Sequence, residues 1–426
     1  MAKTLSAIDK LNSAISKKLD DSKSNFKIFK TFGSATEYIS FGNYMLNAQL
    51  SGDLFLGLPN TRSLELAGPS GTGKTYLVMN MILDAQDKGF HTYYIDTEGA
   101  IDDEDLEKFG IRPESCSHIR TIKTYEKLIQ FANTLIAAVN GPDGEGLKIF
   151  FIVDSYGMLN TETAIENALK GKYAEDMGKR AKLGRELFRN ITLDLSNAGI
   201  PMVFTNHTAK TLDLFAIDKD VTSGGEGPTY SASFITLLGK SNYMKETEDK
   251  TTTKTGVFLK ARSQKNRKVV PMDVEIHLSW KQGMNKYVGL EKYLSWDTCG
   301  VERGTIFTPE EFNAKYKKGV ATNSKGDELR TERWKTDKGE MICVLNENSR
   351  TLAVKSSCEN VDPLLVFSDK VFTQETLVQI NEKKIRPLFK YSDSDTTSED
   401  IAGMIKYTPD IDDDDIVELN FPSKIK

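Results

Sequence analysis

Residues Gly68–Thr75 read GPSGTGKT, directly after the apolar run SLELA, and their last two residues open KTYLVMNMILDAQ. The octet fits G-x-x-x-x-G-K-[ST] in its required setting of strand, glycine loop and helix N-terminus. That setting restricts the fold. A strand that feeds a helix through a phosphate-sized loop belongs to a parallel sheet, with ligands at the carboxyl ends of the strands. Gly68, Pro69, Ser70, Gly71, Thr72 and Gly73 form the expected cradle, whose backbone N–H groups close around a β-phosphate at the positive end of the helix. Lys74 is expected to bridge β- and γ-oxygens, and the Thr75 hydroxyl to ligate Mg²⁺. ATP and Mg²⁺ are the cofactors this implies. The bland alternative is a chance match in a turn, which the flanking strand and helix disfavour.

Two carboxylate-bearing strand ends complete the reading. KIFFIVDSYG places Asp154 after the apolar run Ile149–Val153, where it is suited to hold a metal's water shell or merely to end a strand. HTYYIDTEGAID places Asp96 and Glu98 at another strand end. With Asp96 closing the strand, Glu98 falls in the loop, within reach of a γ-phosphate and a water to activate. A solvated loop carboxylate is its competing description. Asp102 either approaches the adenine or begins an exposed acidic helix in AIDDEDLEK.

Along the chain, strands are expected at 63–67, 91–95, 118–122, 148–153, 201–205, 233–238, 255–261 and 271–278, with helices at 74–88, 124–139 and 177–198. Their alternation predicts an α/β fold with a mostly parallel twisted sheet, and the helix-free final strands an antiparallel edge. Leu5, Ile8, Leu11, Ile15 and Leu19 recur at helical spacing, which predicts a short helix over 4–20 before the polar DDSKSN. The expected divisions are 1–50 (N-terminal helix and oligomerisation linker), 51–298 (ATPase core), 299–390 (small α+β domain) and 391–426 (acidic, flexible tail). Net charge is −5, but residues 391–418 carry ten acidic residues against one lysine, so the remainder is net basic. Such a remainder is compatible with a nucleic-acid partner, and the tethered tail would compete with it. No apolar run reaches membrane-spanning length and MAKTLSAIDK lacks a signal-peptide core, so a cytoplasmic protein is expected. Cys116, Cys299, Cys343 and Cys358 have no metal-type spacing.

The order of the later segments is narrower. PMVFTNHT ends a strand at Asn206 and His207, a non-periodic stretch fills 208–222, and SGGEGPTYSASF follows. This second glycine-rich segment has no lysine and no obvious helix opening. Together with YYIDTEGAID, FFIVDSYGML and DMGKRAKLGRELFR, over roughly residues 30–295, the order resembles the RecA family of strand-exchange recombinases, most nearly its tailed-phage UvsX branch.

The resemblance implies an ATP-dependent recombinase that forms a helical filament on single-stranded DNA and pairs it with duplex DNA. It also implies self-association and, as accessory partners, a single-strand-binding protein and a loader or mediator. Two DNA-facing loops would fall near 162–178 and 208–227. Gly224, Gly225 and Gly227 would present backbone N–H groups to DNA phosphates, and His207 would couple nucleotide state to DNA affinity. Lys170, Lys172, Lys179, Arg180, Lys182 and Lys210 are the expected phosphate contacts. Phe215 either stacks on bases or packs against Leu212 and Leu214.

Two departures stand out. In the family, cations from the next subunit reach the γ-phosphate. Here Arg262 matches the first, Gln264 stands at the second, and Lys265 lies beside it. The adenine-facing aromatic position holds Asp105. FGSATEY resembles an F-x-x-A tether, which makes Phe32 and Ala35 candidate subunit contacts; an ordinary turn-to-helix segment is the alternative. A replicative helicase on the same core, or a non-catalytic ATP-binding mediator, are the rival functions. The first would call for a larger N-terminal domain, the second for a defective Lys74, Glu98 and Asp154 set.

Overall fold

The computed structural model describes residues 35–172, 177–210, 220–222, 226–248, 251–317, 319–337, 339–361 and 368–389. The chain joins the core earlier than expected. The Thr36 N–H donates to Asn60 Oδ1 at 3.3 Å, and β1 (Tyr38–Ile39) pairs antiparallel with β2 (Leu58–Pro59). Between them runs α1 (Tyr44–Ser51), started by Asn43, whose side chain accepts the Leu46 N–H, and stopped by Gly52 at φ 76°. Both are standard ends, a polar N-cap and a left-handed glycine. Met45, Leu46 and Leu50 share one apolar cluster with Leu64 and Leu66 of the central sheet. The expected boundary at residue 51 therefore does not divide the fold. The 4–20 helix and Phe32 lie outside the described residues.

The central unit comprises β3 (Ser63–Ala67), α2 (Lys74–Asp87), β4 (His91–Asp96), α3 (Asp103–Phe109), β5 (Cys116–Ile119), α4 (Tyr125–Val139), β6 (Ile149–Asp154), α5 (Glu162–Leu169) and α6 (Met177–Asn197). It continues through β7 (Met202–Asn206), β8 (Thr208–Lys210), β9 (Asp220–Thr222), α7 (Glu226–Ser231), β10 (Phe234–Glu248), β11 (Thr251–Asn266), β12 (Val274–Ser279) and β13 (Gly283–Met284). Nine strands form one sheet in the order β13-β12-β11-β10-β3-β7-β6-β4-β5. The run from β10 to β5 is parallel, and β11 to β13 add an antiparallel edge.

The strand β6 shows why these residues make a two-sided sheet. IFFIVD is buried at every position. Phe150 and Ile152 join the cluster that holds Leu77, Val78, Met81 and Ile82 of α2. Ile149, Phe151 and Val153 join the opposite cluster, with Leu128, Ala132 and Leu135 of α4. A period of two thus sends alternate side chains under different helices. Each fully buried apolar side chain contributes about 1.5–3 kcal/mol, so both layers are held firmly to the strand that carries Asp154.

Several elements differ from expectation. The strand expected at 118–122 lies at Cys116–Ile119. The hairpin of β10 and β11 runs well past the expected 233–238 and 255–261, because Thr251–Lys254 pair across to Lys245–Glu248 although the residues are polar. Threonine favours strands as a β-branched residue, and Lys254 covers the Tyr243 ring at 4.1 Å. The first expected loop contains α5, and the ends of the second pair as β8 with β9. A short helix, α7, does follow the glycine-rich segment.

After α8 (Trp296–Cys299) come β14 (Val301–Phe307), α9 (Pro309–Lys315), β15 (Thr331–Thr336), β16 (Gly339–Leu345), β17 (Leu352–Val354), β18 (Glu359–Val361) and α10 (Gln374–Ile380). The strands form an antiparallel sheet in the order β15-β16-β14-β17-β18. This sheet has its own small cores around Trp296 and Phe312. Its Val301, Leu352 and Val354, with Leu377 and Ile380 of α10, nevertheless belong to the central apolar cluster. Asp53 accepts from Asn381 Nδ2 at 3.0 Å and from Arg386 Nη2 at 2.7 Å, which ties the end of the described chain to its beginning.

Candidate nucleotide site

The phosphate loop leaves β3 at Ala67 and enters α2 at Lys74. Gly73 precedes the helix at φ +75°, a conformation that costs residues with a Cβ. Gly68 is confined differently: a Cβ there would lie 2.4 Å from the Leu238 carbonyl oxygen. Lys74 Nζ donates to Gly68 O at 2.8 Å and Pro69 O at 3.1 Å. Burial lowers its pKa, while Glu98 and Asp154 oppose that shift. The loop also has a second cation that the motif does not reveal. A Cβ on Gly71 would come within 2.9 Å of Lys240 Nζ, and Lys240 contributes to the lowering of Lys74. Only the adjacency of β10 to β3 brings it there.

Asp154 lies at the end of β6, 4% exposed. Thr75 Oγ1 donates to its Oδ2 at 2.8 Å, Tyr94 OH to the same oxygen at 3.1 Å, and Thr205 Oγ1 to its Oδ1. Burial raises the Asp154 pKa, and the hydroxyl bonds from Thr205, Thr75 and Tyr94 oppose that rise. One hydroxyl and one carboxylate, adjacent and both oxygen donors, suit a hard cation such as Mg²⁺, which keeps waters and borrows phosphate oxygens. Among the described residues no group of three or more His, Cys, Asp or Glu forms a metal cluster. A metal here would therefore depend on Thr75, Asp154 and the nucleotide itself.

Glu98 and His207 come together from separate strand ends. His207 Nε2 lies 2.9 Å from Glu98 Oε1, and both side chains are about one-third exposed. Asp96 Oδ1 accepts the N–H groups of Glu98 at 3.0 Å and Gly99 at 2.7 Å. Asp96 is thus a loop anchor, which leaves Glu98 facing outward. Asp102 caps α3, its Oδ1 accepting the Asp105 N–H at 2.8 Å. That geometry fits the acidic helix start.

Asn206, beside His207, donates from Nδ2 to Glu65 Oε1 at 2.9 Å. Glu65 is fully buried in β3 and its Oε2 has no hydrogen-bond partner among the described residues. Burial pushes its carboxyl from the ordinary 4.5 up to about 7, against the bond from Asn206 and the charge of Lys265. A carboxyl raised on folding disfavours the folded state once it must ionise. The penalty is absent below about pH 4.5, grows as pH rises toward 7, and stays constant above. Glu65→Gln preserves an acceptor for Asn206 and is expected to stabilise the protein by about 3 kcal/mol at pH 8 relative to its effect at pH 4. Thermal denaturation at both pH values checks this; an equal difference at the two would contradict it.

The remaining candidates divide. Lys265 Nζ and Arg267 Nη2 both donate to Tyr230 O, at 3.0 and 2.8 Å. Burial, with Arg267, lowers Lys265 to about 8. Lys265 pairs with Ile235, which pairs with Glu65, so it lies about 10 Å back along the sheet from its own phosphate loop. Arg262 pairs with Leu237, nearer the loop end. Arg267 was not anticipated.

On the DNA side, Lys170 and Lys182 pair loosely with Glu166 and Glu186 at 3.9 Å. Lys172 is exposed, and Lys179 donates to Thr163 Oγ1. Two expectations are corrected. The Arg180 guanidinium turns inward, donating from Nη2 to Gly157 O with its Nε buried, rather than projecting as a surface cation. Gly227 is buried in α7, where a Cβ would lie 3.0 Å from Arg185 Cα, so its lack of a side chain admits close approach of α7 to α6. Lys210 lies in β8, but its side chain, with Phe215, Gly224 and Gly225, is outside the described residues. Ala35 is half-buried on its own chain, one residue before the docked Thr36.

A parallel sheet whose glycine loop opens a helix, with a hydroxyl–carboxylate pair and a glutamate at neighbouring strand ends, defines a phosphate-loop nucleotide-binding protein. The family model of the RecA N-terminal domain matches residues 6–285. The chain belongs to the RecA family. It is 33% identical over 198 residues to the recombination and repair protein of Enterobacteria phage T4, covering 46% of this chain and 48% of the relative. Against Protein RecA of Paracoccus denitrificans it is 25% identical over 258 residues, 58% of this chain and 68% of the relative. Against that of Syntrophus aciditrophicus it is 27% identical over 268 residues, 60% and 74%. The match thus spans about half the length of the phage relative. No helix among the described residues is long and apolar enough to cross a membrane.

Proposed function

We propose that the protein is a DNA-dependent ATPase that assembles on single-stranded DNA and pairs it with homologous duplex. The contact that carries this reading is His207 Nε2 to Glu98 Oε1. Glu98 stands where a water attacking a γ-phosphate would be activated. His207 opens directly into β8, the first strand of the second expected DNA loop. A change at the γ-phosphate therefore has a two-residue route to the loop.

In this mechanism Lys74 exchanges its bonds to Gly68 and Pro69 for phosphate oxygens. Thr75 and Asp154 would hold Mg²⁺, which would supply charge neutralisation to the phosphates. Glu98 accepts the proton of the attacking water. His207 senses whether Glu98 is engaged and biases the loop that begins at Thr208. Lys265 and Arg267 are suited to a neighbouring subunit's nucleotide, alongside Arg262, which matches the first of the subunit-bridging cations of the family. Self-assembly, single-strand-binding and loader proteins, and a cytoplasmic setting remain part of the same proposal.

ATP turnover measured with and without single-stranded DNA, paired with electron microscopy, tests it. Stimulation of turnover together with filaments is expected. Turnover near zero with saturating DNA would favour a non-catalytic mediator, and fork unwinding without pairing would favour a helicase.

A further inference from the structure

Glu98 cannot act from a loop that wanders, and the grip on that loop comes from a strand the nucleotide motifs do not include. The strand β5 lies beside β4 at the sheet edge, with His118 opposite Tyr94. Arg120, just past the end of β5, sends Nη2 to Gly99 O at 2.9 Å, and its Nε lies 3.6 Å from Asp96 Oδ2. A Cβ on Gly99 would come within 3.1 Å of the same Nη2, and Gly99 has φ +65°. The guanidinium therefore seats against bare backbone.

His118 lies beneath. Its side chain is 8% exposed, and its ring stacks on Tyr94 with centroids 5.3 Å apart at 22°. Nε2 faces Asp96 Oδ2 at 3.4 Å and Nδ1 faces Asp103 Oδ1 at 2.6 Å. Asp96 thus has its Oδ2 oriented by two β5-side groups, while its Oδ1 accepts the N–H groups on both sides of the Glu98 carbonyl. Arg120 holds the next carbonyl. The backbone that carries Glu98 is held on both its donor and acceptor edges. Tyr94 extends the same support to Asp154 through its hydroxyl.

We propose that Arg120 and His118 are positioning residues for ATP hydrolysis, acting through Asp96 and Gly99 to hold Glu98 at the attacking water. This rests on the reading of Glu98 as the base. The partners of both residues lie at Asp96, Gly99 and Asp103 rather than on the phosphate loop, so their expected effect is on turnover. A carboxylate displaced by about 1 Å loses on the order of tenfold or more in rate.

Steady-state ATP hydrolysis with saturating single-stranded DNA tests this in Arg120→Ala, Arg120→Lys and His118→Gln. Arg120→Ala is expected to lower kcat about tenfold with KM for ATP within about twofold of wild type, the pattern of an interaction that serves the transition state. His118→Gln, which keeps one donor toward Asp96, is expected to lower kcat less. Arg120→Lys restores the charge beside Asp96 but not the fork to Gly99 O, and should recover part of the rate. Wild-type kcat in Arg120→Ala would overturn the proposal. So would a joint change of kcat and KM with a lowered Tm, since that marks a structural role. Glu98→Gln, run alongside, separates the two readings: wild-type turnover there would remove the base assignment itself, whatever the Arg120 variants do.

Discussion

Glu98→Gln is expected to lower ATP turnover by about 10²–10⁴-fold while leaving nucleotide binding intact. The amide keeps the size and one acceptor of the carboxylate but cannot take a proton from water. Lys74, Thr75 and Asp154 are untouched by the change, and the Asp96 carboxylate anchors the loop through the backbone N–H groups of Glu98 and Gly99, not through the Glu98 side chain. The bound state before hydrolysis should then persist, and with it tight DNA binding. Turnover measured beside DNA affinity at saturating ATP checks both halves. A variant that hydrolyses ATP at the wild-type rate would show that another group activates the water.

Lys74→Ala is expected to remove ATP-dependent DNA binding altogether, because it acts one step earlier. Lys74 is 7% exposed, and its ammonium fills the loop by donating to Gly68 and Pro69. Its loss takes away the charge that meets the phosphates at the heart of the cradle and leaves two loop carbonyls without their donor. Hydrogen bonds to charged groups are worth about 1.5–3 kcal/mol each, so two or three at one phosphate amount to a loss of several orders of magnitude in affinity. Lys240 lies close enough to the loop to retain some attraction. Nucleotide affinity measured directly, without DNA, tests this. Wild-type affinity in Lys74→Ala would mean that Lys240 and the backbone N–H groups suffice.

Within the described residues, the legible parts of this protein are those where local pattern and chemistry coincide. The run SLELA, the octet GPSGTGKT and the helix after it specify strand, loop and helix without help, since each rests on neighbours in sequence. IFFIVD, which ends in Asp154, and HTYYID, with Glu98 two residues beyond its end, are equally local, and the expected parallel sheet follows from their alternation with helices. The antiparallel edge was also legible, though its hairpin length was not. Polar residues such as Thr251–Lys254 become strand only because β10 runs alongside to pair with them.

What the tertiary structure alone decided is which distant residues meet. Nothing near Asp154 in sequence points to Tyr94 and Thr205, yet parallel pairing of β4, β6 and β7 directs their hydroxyls at it. His207 reaches Glu98 across 109 residues of chain. Arg120 and His118 read as ordinary edge-strand residues until β5 is laid beside β4, and Arg180 reads as a surface cation until α6 turns it onto Gly157. The reason is physical: hydrogen-bond and charge partners act over a few ångströms in space, and strand order sets that proximity through the burial of both sheet faces rather than through any one residue's own preference.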